Sequence, residues 1–403
     1  MDKKRKNFIL ISKDALCKDY LHIYGKKAYQ VATPNIDELV AKGTLFNNYY
    51  CAAGSTVMAF YSMCTGQFAH ETDFQMYERI HFQYKGETIF TKAKKIGFDK
   101  CHIVWDVDWG FLPEYFDYFR NDVTIHNIDG FRERVSFHKK IEGAVKNNDK
   151  IAMDTLEMIR QKLQSLLETD ESVFIWLHLP HVVRGRAGYG SDIDMFDKYV
   201  GMVRTLVSDE CIAITADHGN LNGNHGKLAY GFDVYNKVAN IPLILPRKKG
   251  LSVYNGNVSS VDLFSLLFEN EIPHRNFVYC DSAYRAQKSR KLAIVYKDYK
   301  YIYTKKNGNE ELYNLTLDPE ESFSLMSDKW FDVDRKVFVN ISEELYFPRM
   351  DELANIRKKM REERKRIWRN GTFKVVVKSN IKDKLRPIKD WYMRQKKIGK
   401  KVL

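Results

Sequence analysis

The chain reads as an α/β protein with a mostly parallel central sheet, helices on both faces, a small C-terminal antiparallel subdomain and a basic helical tail. Three observations predict this. Short apolar runs alternate with helical periodicity from Asn7 to about residue 245. Chemistry-bearing polar residues follow several of these runs directly, as they do at the carboxyl edge of an open parallel sheet. After Ile241-Pro242-Leu243-Ile244-Leu245 the texture changes, first to short Tyr-rich runs and then to a densely charged stretch.

The elements follow in order. Asn7–Ser12 (NFILIS) is a short apolar run ending in Lys13-Asp14, the pattern of a buried parallel strand with a polar end. Thr33-Pro34-Asn35 opens a helix, with Thr33 as cap, proline in the first turn and Ile36, Leu39 and Val40 at helical spacing. Further helices are expected over residues 86–97, 151–168 and 191–207, and strands at Cys101–Trp105, Val173–Leu179 and Cys211–Thr215. The expected boundaries are 1–270 for the main domain, 271–330 for the antiparallel subdomain and 331–403 for a charged helix and tail.

Composition narrows the class. Of 403 residues, 44% are hydrophobic and 13% aromatic, enough for a sizeable core and too many for global disorder. No apolar run approaches the roughly 18 residues of a membrane-spanning helix. The opening MDKKRKNFILIS has about five apolar residues behind its basic start, fewer than an export signal needs. The six cysteines, Cys17, Cys51, Cys64, Cys101, Cys211 and Cys280, are scattered without a C-x-x-C pair, which suits reduced thiols. A cytoplasmic location is the expectation.

Residues 351–403 hold 19 basic and 6 acidic side chains, which accounts for the whole net charge of +13. The body is electrically balanced, so the charge argues against a nucleic-acid surface on it. In the tail, Leu385, Ile388, Trp391, Tyr392 and Ile398 recur at helical spacing among lysines and arginines. That pattern predicts contact of residues 351–403 with an anionic membrane surface, on its inner face, with docking onto the chain's own domain as the alternative.

Three segments fall where such a sheet places its chemistry. Asp14 follows the first strand, Asp217-His218 follows the strand ending at Thr215, and the small-residue loop ending in Ser55-Thr56 leads into an apolar helix. A hydroxyl at that helix start meets unpaired N–H groups and a positive dipole end, which suits a phosphate or sulfate centre. Singly, an Asp after a strand reads equally as a turn residue, and a Thr at a helix start as a cap.

Their joint order resembles the sulfatase branch of the alkaline phosphatase superfamily. The resemblance rests on the segments ILISKD14, T33-PNIDELVAK-G43, S55-T56 through T65-G66, FIWLHLP-H181, T215-A-D217-H218-G219, N224-H225-G226, NIPLIL245 and ELYNLTLDPE-E321, and it covers about residues 6–326. It implies that Asp14, Thr56, Asp217 and His218 bind one divalent cation. Mixed oxygen and nitrogen ligation suits Mn²⁺ or Zn²⁺, with Mg²⁺ and Ca²⁺ as alternatives. It further implies Thr56 as nucleophile, His181 as the acid for the leaving group with His178 competing, and His225, Lys227 and Arg184 as substrate contacts. A loop histidine, a solvated lysine and a surface loop holding Arg184 and Arg186 are the plainer readings of the last three.

The departures from the family pattern all touch sulfate chemistry. Sulfatases convert a Cys or Ser in a C/S-x-P-S-R context to formylglycine, whereas the corresponding position here is Thr56, followed by Val-Met-Ala. Cys51 lies five residues too early, and Lys13-Asp14 stands where the family carries two aspartates. A threonine nucleophile is similar to that of the phosphoethanolamine- and phosphoglycerol-transferring relatives. The expected function is therefore a metal-dependent phosphotransferase or phosphodiester hydrolase working through a phospho-threonine, on a small or lipid-linked phosphate ester of cell-surface polymer metabolism. A sulfate-ester hydrolase without formylglycine and a catalytically degenerate binding protein are the alternatives.

Overall fold

The computed structural model describes residues 6–24, 31–71, 86–105, 122–128, 145–179, 186–227, 230–282, 290–326, 329–332, 337–340 and 350–370. Its centre is β1 (Asn7–Lys13), buried nearly throughout, as an apolar run with neighbours on both edges must be. β1 pairs in parallel with β5 (Val173–Leu179) on one side and β6 (Ile212–Ala216) on the other. Beyond β5 lie β3 (Lys100–Trp105) and β4 (Thr124–Asn127), also parallel.

The other flank departs from the parallel pattern. β7 (Asn240–Pro246) runs antiparallel to β6, and β2 (Gly43–Tyr50) antiparallel to β7. Two short strands, β8 (Val253–Tyr254) and β9 (Val258–Ser259), run parallel to β2. Among the described residues this gives nine strands in one sheet, mostly parallel. β2 was not anticipated: its NNYY end carries polar residues where the sequence suggested a loop, and Phe46 and Tyr49 bracket a register shift that accommodates them.

Helices cover both faces. α1 (Pro34–Lys42), α4 (Val145–Leu167) and α5 (Arg186–Arg204) form one layer; α2 (Thr56–Thr65), α3 (Ile89–Lys95) and α7 (Leu263–Phe268) belong to the other. The alternation of β1 displays both. Ser12 turns to the α2 side, where it accepts the Trp176 indole N–H at 2.7 Å, and Phe60 of α2 stacks on Trp176 at 4.6 Å. Lys13 turns to the α5 side and meets Asp192 at 2.9 Å, both side chains buried. Thr33 precedes α1 as expected, but its hydroxyl bonds Asp37 and not the helix backbone. Asp197 of α5 caps the helix instead, accepting from Asn35 N and from Ile36 N at 2.9 Å. A tertiary carboxylate supplies what a local hydroxyl was predicted to supply.

After α6 (Asn236–Ala239), β7 and α7, the chain forms a four-stranded antiparallel sheet of β10 (Val278–Asp281), β11 (Lys291–Tyr296), β12 (Tyr299–Thr304) and β13 (Asn309–Asn314). Its two faces separate with period two. Val278, Cys280, Ala293, Val295 and Ile302 join the main core. Tyr279, Leu292, Ile294, Tyr301 and Leu312 meet α8 (Met350–Asn370) through its buried stripe Leu353, Ile356, Met360 and Ile367. A short hairpin, β14 (Lys329–Asp332) and β15 (Val337–Asn340), precedes α8.

α8 spans the first part of the charged stretch over residues 351–403. Its apolar stripe faces the chain's own small sheet, pinned by Glu363 to the Tyr279 hydroxyl and by Arg361 to Glu310. Arg357, Lys358, Arg361 and Lys365 of this helix border an open recess of about 470 Å³. Leu385, Ile388, Trp391, Tyr392 and Ile398 lie outside the described residues. No helix among the described residues is long and apolar enough to cross a membrane.

Candidate active site

Adjacent parallel strands bring the first two acids together. Lys13 of β1 and Ala216 of β6 are partners in register, so Asp14 and Asp217, one residue on, leave the sheet side by side. Asp217 is fully buried; its Oδ1 accepts the backbone N–H groups of Ala15 (3.1 Å) and His218 (2.7 Å). Its Oδ2 is also buried and takes no hydrogen bond. Burial raises the Asp217 carboxyl above the usual carboxylate range, with the Asp14 charge adding to the rise and His218 opposing it.

His218 completes the group. Its Nδ1 lies 2.8 Å from the Gly219 carbonyl, which can only accept, so Nδ1 is assigned a ring proton and Nε2 is the nitrogen turned toward the two acids. Nε2 lies 3.6 Å from Asp14 Oδ1 and 3.4 Å from Asp217 Oδ2. The Thr56 hydroxyl is 3.1 Å from Nε2, and Tyr230 packs on the ring at 4.3 Å between centroids. Thr56 is the first residue of α2 and Ser55 its extended N-cap, which makes no side-chain capping bond.

Two carboxylates and an imidazole nitrogen thus converge, all buried. That is the donor set of a divalent cation site, and the three ligand atoms lie within 4.8 Å of one another. The residues fit the implied metal: an orphaned carboxylate oxygen and a histidine tautomer fixed by a backbone carbonyl are what such a site requires.

The sulfatase family model matches residues 6–269 of this chain. The chain belongs to the sulfatase family. Solved structures similar to this chain include the phosphonate monoester hydrolase of Agrobacterium radiobacter, 14% identical with a TM-score of 0.59, covering 90% of this chain and 95% of the other. A putative sulfatase from Bacteroides thetaiotaomicron is 15% identical with a TM-score of 0.60, covering 94% and 96%. At such identities the likeness is one of fold. A phosphopentomutase of Mycoplasmopsis pulmonis is 38% identical over 76 residues, and that match spans 18% of this chain and 19% of the relative.

The remaining predicted residues are distributed differently. His181 and Arg184 lie outside the described residues. His178, the competing acid, is buried in β5, with Ser12 Oγ 2.8 Å from its Nδ1 and Phe60 edge-on at 4.6 Å, a core position. His225 lies outside the Asp14–Asp217–His218 group: it stacks on Tyr235 at 3.7 Å and adopts a left-handed φ of 52°. Lys227 has a protein partner, Asp233 at 2.6 Å, where a substrate phosphate was expected. The same carboxylate binds Lys291 of β11 and so ties this sulfatase-family loop to the small sheet. Cys51 is buried against Val238 O and Cys280, away from the position of a formylglycine precursor.

Lys13 explains one departure from the sulfatase pattern. The residue that would be a second aspartate at the end of β1 is a lysine whose ammonium is paired with Asp192 on the other side of the sheet. The site therefore holds two carboxylates and one imidazole from the described residues, and its negative charge is correspondingly lower.

Proposed function

We propose that this sulfatase-family chain is a metal-dependent hydrolase or transferase of phosphate esters that uses Thr56 as nucleophile. The observation that carries the reading is the Thr56 hydroxyl 3.1 Å from His218 Nε2, at the start of α2 and beside two buried carboxylates. Asp14, Asp217 and His218, joined by Thr56 Oγ1, would hold a divalent ion, Mn²⁺ or Zn²⁺ by donor type, which supplies a lowered hydroxyl pKa and neutralisation of developing charge.

The chain's own residues do the rest. Thr56 Oγ1 gives up its proton to solvent water and forms a bond to phosphorus as the bond to the leaving oxygen breaks. His181 donates a proton to that oxygen, so the alcohol leaves neutral and a phospho-threonine remains. Water or an acceptor hydroxyl then reverses the first step and restores Thr56. His225 and Arg184 contribute recognition of the anionic substrate. A threonine without formylglycine, the phosphonate-ester hydrolase among similar structures and the short likeness to a phosphopentomutase favour phosphorus over sulfur. Sulfate-ester hydrolysis is the second reading, favoured by the family match.

The test is nitrophenol release from aryl phosphomonoester, phosphodiester and sulfate substrates by Mn²⁺-loaded protein, with Thr56→Ala alongside. Turnover of a phosphorus ester that disappears in Thr56→Ala, together with a phosphoryl group on the Thr56 peptide after rapid quench, is the expected result. Turnover of the sulfate alone would replace this reading with the second one.

A further inference from the structure

α6 is only four residues long, yet its last three carbonyls receive three separate site-bearing loops. Lys237 O lies 3.1 Å from the Cys17 thiol, in the loop that follows Asp14. Val238 O accepts the Gly219 N–H at 2.8 Å, directly after Asp217-His218. Ala239 O accepts the Cys51 N–H at 2.8 Å, at the start of the loop to Ser55-Thr56. A helix end leaves such carbonyls without intrahelical partners, and here each serves a different loop. The approach is close: a Cβ on Gly219 would come within 2.0 Å of Lys237 O, so only glycine fits there.

At its other end α6 is held by the small sheet. The Asn236 N–H donates to Glu321 Oε2, and Asn236 Oδ1 accepts from Lys300 Nζ at 3.1 Å. Lys300, in the middle of β12, and Glu321 are ion-paired at 2.8 Å with both side chains essentially out of water. Glu321 also holds a left-handed φ of 58°, a conformation a non-glycine residue keeps only where its surroundings enforce it.

We infer that the buried Lys300–Glu321 pair is a positioning device: by fixing the start of α6 it sets, through three consecutive carbonyls, the mutual placement of the Asp14, Asp217-His218 and Thr56 loops. The inference deepens the proposed function and rests on it for the identity of the reacting groups. A buried pair of this kind is weak evidence for stability and better evidence for a specific geometry.

The experiment compares Glu321→Ala with Met360→Ala, whose side chain lies between α8 and the small sheet, well below both melting temperatures. Three readouts are taken: amide hydrogen exchange of peptides covering residues 50–54 and 217–221, Mn²⁺ affinity by calorimetry, and kcat separately from KM. Glu321→Ala is expected to speed exchange in both peptides at least tenfold, weaken Mn²⁺ at least tenfold and lower kcat with KM within twofold. Met360→Ala is expected to leave all three within twofold. Equal behaviour of the two variants overturns the inference. If Glu321→Ala does not fold, the charge-free double variant Lys300→Met with Glu321→Gln takes its place, and unchanged exchange in both peptides overturns the inference there too. Should the wild-type protein turn over none of the esters, the proposed function fails while exchange and metal affinity still decide the role of the pair.

Discussion

The carboxyl end of the large sheet and the small sheet with α8 use charge in opposite ways. At the first, Asp14 and Asp217 are driven together beside the His218 imidazole, and a buried carboxylate oxygen of Asp217 has no hydrogen bond. At the second, buried charges are matched: Asp281 takes Arg290 with two nitrogens, Lys300 takes Glu321, and Glu363 takes Arg366 and the Tyr279 hydroxyl. Convergent like charge costs stability unless a ligand neutralises it, whereas matched charge holds a shape. Under the proposed function, the difference makes one end the place where a cation and a reacting group are received and the other the frame that keeps it in register.

The sharpest way to break the comparison is to remove a charge from each end. Asp217→Asn should abolish turnover, by at least about a thousandfold, because several kcal/mol of transition-state stabilisation goes with the cation. Metal-free Asp217→Asn should nevertheless melt at or above the metal-free wild type, since the buried carboxylate it replaces has a raised pKa and weakens the fold at neutral pH. Chelation should lower the wild-type melting temperature, by about 2.7 kcal/mol of stability from a hundredfold excess of metal over Kd, and leave Asp217→Asn unmoved.

Asp281→Ala should do the reverse. It strands the buried Arg290 guanidinium and should cost about 3–5 kcal/mol in urea unfolding. A small loss there, or a large one for metal-free Asp217→Asn, would dissolve the contrast. Met360→Ala should cost about 2–4 kcal/mol by leaving a cavity under α8, with activity per folded molecule retained.

The smallest effect is a pH dependence. His70 is buried beside Phe68 and Tyr279, and burial pushes its pKa from 6.5 down to about 4. Between those values the unfolded chain binds protons that the folded chain does not. Stability is therefore full above pH 6.5 and falls as pH drops toward 4, by up to about 1.4 kcal/mol per pH unit. His70→Phe should flatten that slope in thermal melts taken between pH 7 and 4.5. An unchanged slope would move the titration to another group, His102 of β3 being next, since burial lowers it to about 4 as well.

What the sequence disclosed and what it withheld divide along the same line. The α/β fold was legible because β1, β5 and β6 are short runs buried on both faces, and β1 and β6 are followed directly by acids. Asp14 and Asp217-His218 could be placed near one another because strand ends of one sheet meet at one edge, and the resemblance to the sulfatase branch grouped Thr56 with them. Partners made across the fold left no local trace. Nothing around Thr33 announces that Asp197 caps α1, and nothing around Lys227 announces Asp233. α6 is too short to show a period, and α8 shows a clear one whose covering surface is a sheet far away in sequence. The polar end of β2 hid a strand because its asparagines bond across to Asn255.

The placement of β1 has a consequence for how the molecule is made. Phe8 finds Phe174 across the β1–β5 ladder, and Ile9 finds Ile212 across the β1–β6 ladder, so the central strand is synthesised long before either neighbour exists. Contacts this distant along the chain slow folding and leave apolar edges open in the meantime. Asp14 meets Asp217 only after that wait, and α6 gains Glu321 later still. The group at the carboxyl edge is thus assembled late, and the apolar NFILIS run stays without its strand partners until then.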